Sequence, residues 1–328
     1  MIRISLFLWC ALALVFTVSS GEKGLDPLRP HGFEIQAKPV SLMQGNTAVR
    51  TIGALTYIEG WSLSSWDRNF GGLSALAVDG ARFKLVSDVG EVISFDMHGG
   101  HFSNARVDSL PKGCGDGWVK KNQDSESFAV DPKTGRSWIG LEVHNFLCLV
   151  PAGGDTATEI APHDMADWPH TGGPESMVWL KRGGLLVLAE RDDDDAKPVT
   201  PAVYFPGGPE RSNAIAIRLG YQAPAGYRAV DARELPDGRV LVLNRRYEPP
   251  INFMAKLVVI DPPQLVTGAV LKGREIAAFE APFISDNFEG LSVQPSADGL
   301  HIWIVSDDNF SRPLQRTLLL HLIWMEPH

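Results

Sequence analysis

Apolar residues run through this chain in short stretches, each broken by an Asp-Gly, Gly-Gly or Pro-containing turn. From residue 71, GGLSALAVDGARFKLVSDVG gives one apolar strand, a turn at Asp79-Gly80 and a second strand ending at Ser87-Asp88. Asp-Gly between two apolar runs predicts a hairpin, because the tight turn needs residues that tolerate positive φ. The same grammar returns in DSESFAVDPKTGRSWIGLE from residue 124, GPESMVWLKRGGLLVLAER from 173, YRAVDARELPDGRVLVLNRRYE from 227 and DNFEGLSVQPSADGLHIWIVSDDNF from 286. Before them, residues 40–61 alternate apolar and polar positions around TIGALTYIEGW, which is the two-residue period of a strand.

Aligned on the residue heading the first strand, the units begin at Ser74, Glu126, Glu175, Asp231 and Glu289, in steps of 52, 49, 56 and 58 residues. Repeats of about 50 residues built from strand pairs are a propeller signature, since helical solenoids have shorter periods. Each step leaves room for a third and fourth strand, such as FLCLVPA after the second unit or AKLVVID after the fourth, and 32 glycines with 23 prolines supply the turns. The expected fold is all-β, a single β-propeller of six four-stranded blades. Five blades come from the units, and a sixth closes the ring by pairing N-terminal strands around residues 54–58 with the C-terminal TLLLHLIW, which removes free sheet edges.

The expected division is a signal peptide over residues 1–20, a lead segment over 21–39 and the propeller over 40–328. Arg3, the apolar run 4–18 and the small Val18-Ser19-Ser20 have the make-up of a secretory signal, and the run falls short of the roughly 20 residues that span a bilayer. No later apolar run reaches that length, so the expected mature protein is periplasmic or secreted, without a membrane span. A net charge of −9 and no clustered Lys/Arg surface argue against nucleic acid as a partner. Cys10 leaves with the signal. Cys114 and Cys148 then either form a disulfide, which an oxidising compartment permits, or stay as packed thiols, and their spacing does not choose.

In a propeller the innermost strand of each blade runs along the channel, so the residues at the strand heads converge on one rim. Glu126, Glu175 and Glu289 at those heads are the candidate catalytic groups. Asp231 at the fourth head, with Asp88, Asp307 and Asp308 at second-strand ends, offers hard oxygen ligands suited to Ca²⁺. Arg191, Arg245 and Arg246 at other second-strand ends can clamp a small anionic ester or pair with the carboxylates. Repetition also fits a structural use, each acid bonding the backbone of the next blade, and Ser74 breaks the acidic series in the first unit. Gly-x-Ser-x-Gly, His-Glu-x-x-His, phosphate-loop and dinucleotide fingerprints are all missing.

These segments, above all DNFEGLSVQPSADGLHIWIVSDDNF followed by QRTLLLHL, resemble the phytase-like domain family, also called the esterase-like activity of phytase family, from about residue 49 onward. The resemblance implies an exported bacterial β-propeller with an esterase-like or phosphoric ester hydrolase activity. The ring of carboxylates is similar in logic to the clustered acids with which propeller phytases hold calcium. The alternative is a non-catalytic propeller scaffold whose rim binds a ligand or a protein partner. A third reading, carbohydrate binding, would use Trp61, Trp66 or Trp118.

Overall fold

Each of the five repeats opens an antiparallel sheet of its own, and the sheets stand around a central channel in the computed structural model. It describes residues 28–115, 124–192, 197–211, 215–312 and 314–325; the expected signal peptide lies outside them. From the channel outward, the first blade is Leu73–Asp79, Arg82–Ser87, Glu91–His98 and His101–Ser109, with His31–Gly32 on its outer edge. The second is Ser125–Val130, Ser137–Leu141, Phe146–Val150 and Thr158–Ile160. Ser176–Leu180, Gly184–Leu188, Thr200–Pro206 and Ile217–Tyr221 form the third, which gains the short parallel strand Val270–Leu271. The fourth is Arg228–Glu234, Val240–Glu248, Asn252–Ile260 and Arg274–Phe279.

The fifth blade corrects the expected count from six to five. Its inner strands Phe288–Ser296 and Gly299–Ser306 come from the last repeat, followed by the C-terminal Thr317–Trp324 and then the N-terminal Leu55–Ser64 and Gln36–Pro39. Thr317–Trp324 pairs antiparallel with Leu55–Ser64, so the two chain ends do meet in one sheet. They complete the fifth unit, which otherwise has only a hairpin, and among the described residues leave no strands for another blade. The segment before residue 40 contributes edge strands to the first and fifth blades. Among the described residues no helix is long and apolar enough to cross a membrane.

Apolar alternation packs each sheet against its neighbours. Between the fifth and first blades, Trp303 meets Phe83 edge-on at 5.0 Å, Phe83 stacks on Phe95 at 5.0 Å, and Trp61 lies edge-on to Phe102. Burial of each such ring contributes about 1.5–3 kcal/mol. Trp61 is thereby a packing residue, and Trp118 lies outside the described residues.

Polar groups stitch the blades together around the channel. Ser74 Oγ donates to Ser125 O at 2.5 Å, and Ser125 Oγ to Ser87 O at 2.6 Å. Ser127 Oγ donates to Pro174 O, and Arg233 crosses the channel to Met177 O of the third blade and Leu76 O of the first. Leu291 N donates to Asp231, and Val78 N to Ser292 Oγ, which completes the circle. Side chains from the first, second, fourth and fifth blades thus satisfy backbone groups that the sheets alone would leave unpaired.

Cys114 and Cys148 are joined as a disulfide across 34 residues of sequence, with Cα atoms 5.5 Å apart. Closing a loop of that length in the unfolded chain is worth about 2–4 kcal/mol. A Cys114→Ala, Cys148→Ala variant is expected to lose that much in urea unfolding, and a loss below the error of the measurement would show that the bridge is dispensable.

Candidate functional site

β-Bulges aim Glu126 and Glu289. Where Leu73 pairs with Ser87 and Ala75 with Val86, Ser74 is the extra residue, and the same skip falls on Glu126 in the second blade and Glu289 in the fifth. A bulge bends its strand and re-aims the side chain it carries. In the fourth blade the extra residue is Val230, so Asp231 stands one place further along than Glu126 and Glu289. One residue along a strand reverses the direction of a side chain. Asp231 accordingly turns to the fifth blade: it is fully buried and accepts from Ala232 N at 2.8 Å, Leu291 N at 2.7 Å and Arg233 at 2.6 Å.

At the channel mouth the acids gather around Arg245. Its guanidinium donates to Glu190 at 2.8 Å, to Asn287 Oδ1 at 2.8 Å and to Glu289. Asn287 Nδ2 in turn donates to Glu289 at 2.8 Å and to Asp307 at 3.4 Å. Arg191 and Arg228 approach the other oxygen of Glu190 at 3.4 and 3.6 Å. Glu126 and Glu175 differ: among the described residues, no group donates a hydrogen bond to either carboxylate. A cavity of 220 Å³ opens beside Glu190 between the third and fourth blades, lined among others by Arg191, Lys197, Tyr227 and Arg228.

This crowding governs ionisation. Burial pushes the Glu126 carboxyl well above the usual range, and the charges of Glu175 and Glu289 push it further. Glu175 is raised likewise by burial, then by Glu190 and Glu142. Asp307 is raised by burial and by Glu289. Burial also works against the Glu190 anion, but Arg245, Arg228 and Arg191 prevail and hold its carboxyl below the usual range. Glu289 is the intermediate case, lifted by burial against the pull of Arg245 to about 7.

A carboxyl whose folded pKa is raised favours folding below its unfolded value, here 4.5, and that contribution is lost as pH rises through about 7. Glu289→Gln keeps the neutral shape. In cation-free buffer its thermal midpoint is expected to match the parent near pH 4.5 and to rise relative to it as pH passes 7. A gap that stays constant with pH would overturn this assignment.

The structure brings Glu126, Glu175, Glu289, Arg191 and Arg245 of the expected site to one mouth, with Asp88 and Asp307 interacting electrostatically with it. It does not bring Arg246 there: the residue follows Arg245 on the strand, points the other way and pairs with Glu248. Asp308 is occupied too, accepting from Gly72 N at 3.1 Å, Phe310 N at 3.2 Å and Arg312 at 2.7 Å. Among the described residues, the carboxylates able to share one cation are Asp124, Glu126 and Glu142, whose oxygens lie within 4.8 Å of one another. Glu142, at the end of the second strand of its unit, is one of the rim carboxylates that the sequence offers as oxygen ligands, whereas Asp124 is not. Glu142 N donates to Asp124 O, so strand pairing sets them side by side, and Asp124-Ser125-Glu126 has the two-residue spacing that was the available signal.

Fold and site together define a five-bladed propeller whose channel mouth gathers carboxylates around a shared arginine. The chain belongs to the phytase-like family, described as having the esterase-like activity of phytase, whose model matches residues 68–310, well over half its length. No curated protein matches it in sequence. Among solved structures it is similar to a glutaminyl cyclase from Myxococcus xanthus, at 12% identity and TM-score 0.46, covering 83% of this chain and 97% of that one. It is also similar to a gluconolactonase from Xanthomonas campestris, at 12% identity and TM-score 0.47, covering 92% and 88% respectively. Likeness this remote bears on neither reaction nor substrate.

Proposed function

We propose that this protein is an exported hydrolase of phosphoric or carboxylic esters that works at the acidic channel mouth with a bound hard cation, Ca²⁺ being the best fit. The observation that carries the reading is the pair Glu126 and Glu175, acids without hydrogen-bond donors among the described residues and set among like charges. A structural role would leave such groups bonded, as Asp231 is. Oxygens of Asp124, Glu126 and Glu142 within 4.8 Å of one another suit a cation with bonds of about 2.3–2.6 Å.

The cation would polarise the ester and lower the pKa of a bound water. The chain's own groups supply the rest. Burial and the charges of Glu190 and Glu142 raise the Glu175 carboxyl well above the usual range, which suits it to act as the general acid toward the leaving oxygen. Arg245, fixed by Glu190, Glu289 and Asn287, presents positive charge to an anionic ester without having to reorganise. Arg191 and Arg228 in the neighbouring cavity extend that charge. The disulfide supports an oxidising compartment, in keeping with periplasmic or secreted location.

The test is a panel of phosphate and acyl esters assayed with calcium and with a chelator, alongside thermal unfolding. At least one ester should turn over, chelation should abolish it, and calcium should raise the unfolding midpoint of the parent but not of Glu126→Gln. No turnover and no calcium shift would leave a binding scaffold as the better reading.

A further inference from the structure

The most strained backbone near the mouth holds an aromatic ring. Asn309 and Phe310 are consecutive left-handed residues, with φ of 46° and 48°. A bulky residue in that region is an outlier that its surroundings must enforce. Asp307 Oδ1 accepts from Asn309 N at 2.7 Å, and Asp308 Oδ1 from Phe310 N at 3.2 Å. Arg312 binds the other Asp308 oxygen at 2.7 Å and reaches Ser65 O and Phe70 O, tying this turn to the loop before the first blade.

The ring then lies across two glycines. A Cβ on Gly71 would sit 3.1 Å from Phe310 and 2.6 Å from Asp308, and one on Gly72 would run into both the Phe310 ring and Asp88 Oδ1. The ring edge is therefore beside Asp88, whose charge acts on Glu126, Glu289 and Asp307. Phe310 remains 41% exposed even so. A turn needed only for packing would bury its ring; here two left-handed residues and two side-chain-free neighbours hold an apolar surface open at the edge of a charged mouth.

We infer that Phe310 is a specificity-determining residue, the platform for an aromatic group on the substrate, and that the ester handled here is an aryl ester rather than a uniformly polar polyanion. The inference rests on the hydrolase reading for the word ester, but ring recognition is testable without catalysis. Stacking one ring on another adds about 0.5–1.5 kcal/mol beyond the area buried.

Calorimetric titration of the calcium-supplemented full protein with phenylphosphonate and methylphosphonate, neither of which can be hydrolysed, separates the two ideas. The parent should bind the phenyl compound about tenfold more tightly. Phe310→Ala should close the gap and Phe310→Tyr should keep it. Phe310→Gly, which relieves the left-handed strain, serves if Phe310→Ala does not fold. Equal binding of the two compounds, binding of neither, or a gap closed by Trp66→Ala instead of Phe310→Ala would each overturn the assignment. A gap that depends on Phe310 in a protein that hydrolyses no ester would uphold ring recognition and refute the hydrolase.

Discussion

Glu175→Gln is expected to lower ester turnover by about 10²–10⁴-fold, the usual contribution of a positioned general acid or base, while leaving the protein as stable as the parent or more so. Glu175 is 7% exposed and heads the inner strand of the third blade. Burial and then the charges of Glu190 and Glu142 hold its carboxyl protonated well above the usual range, with only partial relief from Arg245. Glutamine copies the neutral acid in shape and polarity but has no proton to transfer. At pH values where Glu175 would ionise, the variant also escapes the cost of a buried charge. Activity down with thermal midpoint level or up is a signature that a packing residue would not give. Turnover within twofold of the parent, or a loss that tracks a lower midpoint, would remove Glu175 from the reaction.

The opposite behaviour of two residues from one repeat position marks where the sequence could be read and where it could not. Turn chemistry and apolar alternation made the strand pairs legible, since Asp-Gly and Gly-Gly turns act locally. The heads of the inner strands were legible as a rim for the same reason. Blade number was not, because residues 36–64 alternate like any other strand material and nothing local says whether they complete the last unit or open a new one.

The site was legible in class more than in detail. Residue order aligns Asp231 with Glu126 and Glu289, but the bulge at Val230 displaces it by one residue. A bulge depends on pairing with the neighbouring strand, which residue order does not carry. The same limit hid the partnership of Asp124 with Glu142, which is a backbone hydrogen bond across the pair, and the choice between Arg245 and Arg246, adjacent residues on opposite faces.

Asp231→Ala is therefore expected to act on stability, at about 3–5 kcal/mol, because it strands a buried partner rather than removing a reactive group. Arg233 is the partner: its guanidinium donates to Asp231 at 2.6 Å and also spans the channel to Leu76 O at 2.7 Å. The alanine variant would leave that cation without its counter-charge and Leu291 N without its acceptor, opening the seam between the fourth and fifth blades. Burial lifts the Asp231 carboxyl to about 7 against the pull of Arg233 and two amides, so the pair is held by geometry rather than by a large net gain in charge. An Asp231→Asn, Arg233→Met variant, which removes both charges, should recover much of the loss, as buried pairs replaced together usually do. Urea unfolding of the single and double variants provides the measurement. A single-variant loss below about 1 kcal/mol would mean that the belt tolerates a gap at its fourth blade and that Asp231 has a different reason to be there.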